Sequence, residues 1–169
     1  MDIQITHIVA AVVIGLGATV VMDTWAFSQR KIMGIPSLNY CLVGRWLRHM
    51  PSGTFKHRSI ISSSSKSLEC TVGWIAHYAI GVGFALCLVL ITSPGWIQQP
   101  TLAPALLMGL ATVVMPFFVM QPAFGFGIAA AKAPQPNRAR FLSLVAHASF
   151  GVGLYLAALA TSPWVSAYA

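Results

Sequence analysis

Cys70–Thr92 reads CTVGWIAHYAIGVGFALCLVLIT and holds no Lys, Arg, Asp or Glu. It is long enough for the roughly 20 apolar residues that a helix needs to span a bilayer. The stretch also carries Ala76-His77 and Gly81-Val82-Gly83, and it runs into Thr92-Ser93-Pro94 with Trp96. The same signs recur in the same order as Ala146-His147, Gly151-Val152-Gly153 and Thr161-Ser162-Pro163-Trp164. Upstream, Ala18-Thr19-Val20-Val21-Met22 is repeated as Ala111-Thr112-Val113-Val114-Met115. A fainter echo links Pro36-Ser37-Leu38-Asn39 with Pro134-Gln135-Pro136-Asn137. Ordered self-similarity of this kind reads as an internal duplication.

Working outward, three further apolar stretches reach spanning length: Ile5–Phe27, Leu102–Met120 (with a continuation toward Ala131) and Phe141–Thr161. The chain has 169 residues, 57% hydrophobic and 8% charged. A soluble domain carries about a quarter charged residues, so the solvent here is lipid. The expected fold is all-α: an integral membrane four-helix bundle built from two tandem helical hairpins. One transmembrane domain covers 1–169, with repeat one at 1–99, including a loop at 28–69, and repeat two at 100–169. Two spans per repeat insert both halves the same way up.

All ten Lys and Arg lie in two segments, seven between the first and second spans and Lys132, Arg138 and Arg140 between the third and fourth. The positive-inside rule places both segments in the cytoplasm and both termini in the periplasm. The net charge of +7 is then a matter of topology, and nucleic acid is not an expected partner. Asp2 precedes the first apolar run and Arg30-Lys31 follow it, opposite to a cleaved signal peptide, so this run reads as a retained helix. Cys41, Cys70 and Cys87 have no metal-type spacing and read as reduced structural residues.

In the first loop, Leu38, Leu42, Val43, Trp46, Leu47 and Met50 fall on one helical stripe, which predicts an amphipathic interfacial helix near Ser37–Met50. Ser37 is the expected cap, and Pro51-Ser52-Gly53 the expected end. Ser62–Ser65 reads as a flexible linker. In the third span, Pro116, Gln121-Pro122 and Gly125-Phe126-Gly127 predict a kinked and broken helix.

Asp23 precedes Arg30, His77 follows Cys70 and His147 follows Arg140, each by about seven residues, or roughly 10 Å of helix. One carboxylate and two imidazoles are thus expected in one intramembrane layer, with Gln121 a further amide beside it. Such a layer can be an ion pair, a proton relay or a cation site. Two histidines on diagonal helices can also hold a haem b iron axially, the metal reading of His77 and His147. The third alternative is structural bonding between helices. Arg45, Arg48, Lys56, His57 and Arg58 are candidates for contact with anionic lipid head groups at the cytoplasmic face, against a simple role in fixing topology. Trp25, Trp74, Trp96 and Trp164 fit an aromatic belt, and His7 an interfacial position. No nucleophile has a base at local spacing and no phosphate loop is present, so the reading is against an enzyme.

Gly34-Ile35-Pro36-Ser37-Leu38-Asn39-Tyr40, Val43-Gly44-Arg45-Trp46-Leu47, Met120-Gln121-Pro122 and Asn137-Arg138-Ala139-Arg140 resemble a bacterial membrane family, "domain of unknown function 2938". The resemblance covers nearly the whole chain and implies an inner-membrane protein with four spans. It brings no activity or site. The residues themselves favour small-solute or proton-linked transport or sensing through Asp23, His77 and His147. The alternatives are a haem protein of electron transfer and an accessory or assembly subunit. Self-association or membership of a larger membrane complex fits the small size.

Overall fold

A backbone in lipid must satisfy its own polar groups, and helices do so within one segment. The computed structural model describes residues 5–168, and every regular element among them is helical. The elements are α1 (Ile5–Met33), α2 (Tyr40–His49), α3 (Glu69–Thr92), α4 (Gly95–Gln98), α5 (Leu102–Ala111), α6 (Gln121–Phe124) and α7 (Pro136–Tyr168). A π-helical segment, Pro116–Met120, leads into α6, so one span runs Leu102–Phe124. With α1, α3 and α7 this makes four helices long and apolar enough to cross a membrane. Val13, Ile80, Leu107 and Leu156 are among the large apolar side chains left exposed along them, as a lipid surrounding requires.

Two spans are longer than their apolar runs. The first continues past Phe27 to Met33, where Gly34 turns left-handed at φ +66°. The last begins at Pro136 and passes Pro163 to Tyr168. Helix ends follow hydrogen bonding and caps, which hydropathy does not report. Pro163 has no N–H for the carbonyl of Leu159. The Ser162 hydroxyl donates to that carbonyl at 3.1 Å, and Thr161 donates to Ala157 at 2.6 Å.

The chain forms two compact units. The first takes the chain up to Pro36, Tyr78–Ala111 and the chain from Ala146 onward. Its core draws Ala10, Ile14 and Ala18 from α1, Leu88 from α3, Ala105 from α5 and Leu154 from α7. Small residues allow the backbones to approach. A Cβ at Gly15 would collide with the backbone at Gly81-Val82, and one at Gly109 with Gly151 and the His147 carbonyl. Gly153 meets Ala18 in the same way, whereas Gly83 has nothing near it. Trp96, expected in an aromatic belt, is instead buried in this core with Nε1 donating to the Thr101 carbonyl. His7, expected to be interfacial, is also buried, at 6% exposure.

The second unit is Ser37–His77 with Thr112–Val145. Here α2 is capped by Asn39 rather than Ser37, its side chain accepting from the Cys41 N–H at 3.0 Å. The helix starts at Tyr40, so the cap position falls two residues after Ser37. Gly44 on α2 packs against the backbone of Glu69 and Gly73, and Gly73 against that of Tyr40. This close crossing brings Cys41 and Cys70 together as a disulfide. The structure thus bridges a pair that the sequence reads as reduced; the partners are 29 residues apart and only the crossing joins them. Val43, Ile60, Ala123 and Phe124 form the unit's core, with Leu42, Trp46 and Leu47 packed on it. Nor is Ser62–Ser65 a loose linker: Arg45 donates to the Ser63 carbonyl at 3.1 Å and His49 Nε2 to that of Ser64 at 3.0 Å.

Candidate functional site

Asp23 lies late in α1, and the Tyr78 hydroxyl donates to its Oδ2 at 3.1 Å. Both residues belong to the first unit and both are partly buried. Tyr78 is a partner that reading the sequence missed. Its signal was adjacency to His77 at the same helical depth. His77 itself stacks face to face on Tyr40, with ring centroids 3.9 Å apart, and meets Trp74 edge-on at 5.9 Å. His147 is half-buried on α7, and its carbonyl lies at the close approach of Gly109 to Gly151. Gln121 is buried at the start of α6, and its Oε1 has no hydrogen-bond partner. Among the described residues no group of three or more His, Cys, Asp or Glu converges as a metal centre would require.

The basic residues of the first loop divide into two sets. Arg45 is committed within the protein. Its Nη2 and Nε meet the two Glu69 oxygens at 2.7 and 2.9 Å, and Nη1 donates to three carbonyls of the 60–63 segment. The hydrogen bond to the Glu69 carboxylate raises the Arg45 pKa above its ordinary value. Arg48 donates to the Ser67 hydroxyl at 3.2 Å.

Lys56, His57 and Arg58 form the other set. Their segment is pinned to the end of the broken third span. The His57 N–H donates to the Ala123 carbonyl at 2.7 Å, and the Ile60 N–H to that of Phe124 at 3.1 Å. Gly125 follows α6 at φ +91°, and a Cβ there would overlap the Arg58 carbonyl. Both the backbone angle and the space therefore demand glycine. The chain then returns through Gly127 to Lys132, whose N–H donates to the Phe126 carbonyl at 2.8 Å. The result is a cavity of about 280 Å³ lined by Lys56, His57, Arg58, Pro122, Ile128 and Lys132, among others. In the sequence Lys132 carries only a topology signal.

His57 is 8% exposed. Its Nδ1 lies 2.9 Å from the Ser63 hydroxyl, while Nε2 is buried without a hydrogen-bond partner. Burial and the neighbouring His49, with ring centroids 4.9 Å away, hold the His57 pKa below its ordinary value.

Residues 12–161 match a family described as a protein of unknown function, DUF2938, and the chain belongs to that family. No curated protein and no solved structure matches it.

Proposed function

We propose that this DUF2938 member is a multi-pass protein of the bacterial inner membrane in which Asp23 takes up and releases a proton. That exchange couples the helices to passage or sensing of a small solute. The observation that supports this reading is the hydrogen bond from Tyr78 to Asp23. A carboxylate within an apolar helix is costly and needs a local donor. Once Asp23 gains a proton it acquires a donor of its own, and donation between the two groups can reverse. The two states differ by a full charge in low-dielectric surroundings, where that difference weighs heavily on helix packing. In this reading both basic loops face the cytoplasm.

The test is infrared spectroscopy of the full-length protein in proteoliposomes, with a trapped pH dye read in parallel. A carboxylic acid band should grow as pH falls, vanish in Asp23→Asn and shift in Tyr78→Phe. Proton entry reported by the dye should be lost in Asp23→Asn. Identical spectra and identical dye responses in the parent and Asp23→Asn would overturn the reading.

A further inference from the structure

The geometry points to the cavity between the Lys56–Arg58 segment and the turn after α6 as a binding site for a phosphomonoester group, carried by a lipid head group or by a soluble phosphate. This site is separate from Asp23 and stands or falls independently of it.

Charge gives the first argument. Lys56, Arg58 and Lys132 bring three cations to the cavity wall, and among the described residues no Asp or Glu lines it. The chain has only three acidic residues. Glu69 is held by Arg45 and Asp23 accepts from Tyr78. Cations gathered around a concave wall without a carboxylate suit an anionic ligand.

His57 gives the second argument and narrows the chemistry. The single hydrogen of the Ser63 hydroxyl is spent on the Ser59 carbonyl at 2.9 Å. Ser63 Oγ therefore accepts from His57, and Nδ1 carries the imidazole proton. In the neutral ring Nε2 is then a bare lone pair, the only ring nitrogen left for a ligand. A buried acceptor left unpaired is rare and asks for an occupant.

A singly protonated phosphomonoester answers both features. Its P–O–H donates to Nε2, and its charged oxygens face Lys56, Arg58 and Lys132. Transfer of that proton to Nε2 gives an equivalent pair, imidazolium and dianion, with the same number of protons. Sulfate and phosphodiesters carry no such proton near neutrality. They would meet a lone pair rather than a donor unless His57 were first protonated. Burial opposes that protonation, as does His49 across the ring contact, and Lys56, Arg58 and Lys132 line the same cavity. The site should therefore select phosphomonoester over sulfate, a distinction that a simple basic patch does not make.

The test uses the full chain in nanodiscs of phosphatidylcholine, with thermal unfolding and the histidine ¹⁵N NMR spectrum as readouts. Inorganic phosphate should raise the unfolding temperature and move the His57 Nε2 resonance. Sulfate at equal ionic strength should bind about tenfold more weakly or worse, as loss of a charge-assisted bond implies. Discs containing phosphatidic acid, a phosphomonoester, should stabilise the protein and abolish the response to added phosphate. Phosphatidylglycerol, a diester, should do neither. A response to phosphatidic acid alone assigns the lipid source, and a response to inorganic phosphate alone the soluble one. Arg58→Ala and Lys132→Ala should weaken phosphate and sulfate together by a few-fold. His57→Asn keeps a donor for Ser63 but lacks the outer nitrogen, and it should erase the preference for phosphate over sulfate. If His57→Asn fails to fold, the two cation variants and the sulfate control still decide. Stabilisation by sulfate as strong as by phosphate, stabilisation by phosphatidylglycerol as strong as by phosphatidic acid, or no response to any of the four would overturn the assignment.

Discussion

Arg45 and Glu69 face each other as a two-point ion pair, with Nη2 2.7 Å from Oε1 and Nε 2.9 Å from Oε2. The pair joins α2 to the first residue of α3. The Lys66 N–H, at 2.8 Å from Oε2, ties the preceding turn to the same carboxylate. A planar fork is what makes both contacts simultaneous, and lysine cannot reproduce it. Arg45→Lys should therefore lose nearly as much stability as Arg45→Ala, and Glu69→Gln about 1–3 kcal/mol. Arg48→Ala, which gives up one exposed hydroxyl contact, should stay within about 0.5 kcal/mol. Detergent-phase thermal unfolding of the four variants checks the order, and an Arg45→Lys protein as stable as its parent would contradict it.

The helix crossings can be tested one methyl group at a time. A Cβ at Gly15 or Gly109 meets backbone of the facing helix, which cannot swing aside. Gly15→Ala and Gly109→Ala should each cost about 1–3 kcal/mol. Gly83→Ala has open space and should be neutral or slightly stabilising, since alanine is the better helix former. The chemical change is identical in all three, so equal effects would refute the crossings.

His57 sets a pH dependence whose sign follows from its environment. In the fold its pKa is lowered from 6.5 by burial and by His49. As pH falls, the unfolded chain takes up this proton first, so the contribution is fully present above about 6.5. It declines as pH passes below that value and levels off beneath the lower folded pKa. His57→Asn should flatten this slope in phosphate-free buffer, as read from unfolding midpoints across a pH series. Unchanged slopes would show that another group is responsible.

The disulfide and the charge rule make opposing statements about one side of the membrane. If the positive-inside rule holds, the side bearing Cys41 and Cys70 is cytoplasmic, where thiols are kept reduced. The expected result is a dithiol in cells that closes to the observed bridge on mild oxidation. Alkylation in intact cells followed by mass spectrometry reads the ratio directly. A pair fully oxidised in cells would put this side outside and invert the orientation.

Legibility in the sequence followed chain distance. The spans declare themselves through composition, and the loop helix through the stripe from Leu42 to Leu47, because both signals are local. Asn39 taking the cap from Ser37 is a shift of two residues that propensity does not resolve. The cavity could not be read at all. Lys56 and Lys132 are remote in sequence and line one cavity where α6 stops at Gly125. Tyr78 carries no signal of its own, because a tyrosine in a span has an ordinary explanation in packing, while a histidine does not.

The four serines at 62–65 look like the natural place to insert a tag or a protease site for mapping topology. The fold says otherwise. The Ser63 and Ser64 carbonyls are hydrogen-bond acceptors for Arg45 and His49, and the Ser63 hydroxyl supports His57. Opening this segment would disturb three side chains at once. Gly34 and Gly53 are exposed, left-handed and clear of neighbours, the kind of turn that accepts added residues. Reporters placed there would leave the basic cavity intact while its side of the membrane is determined.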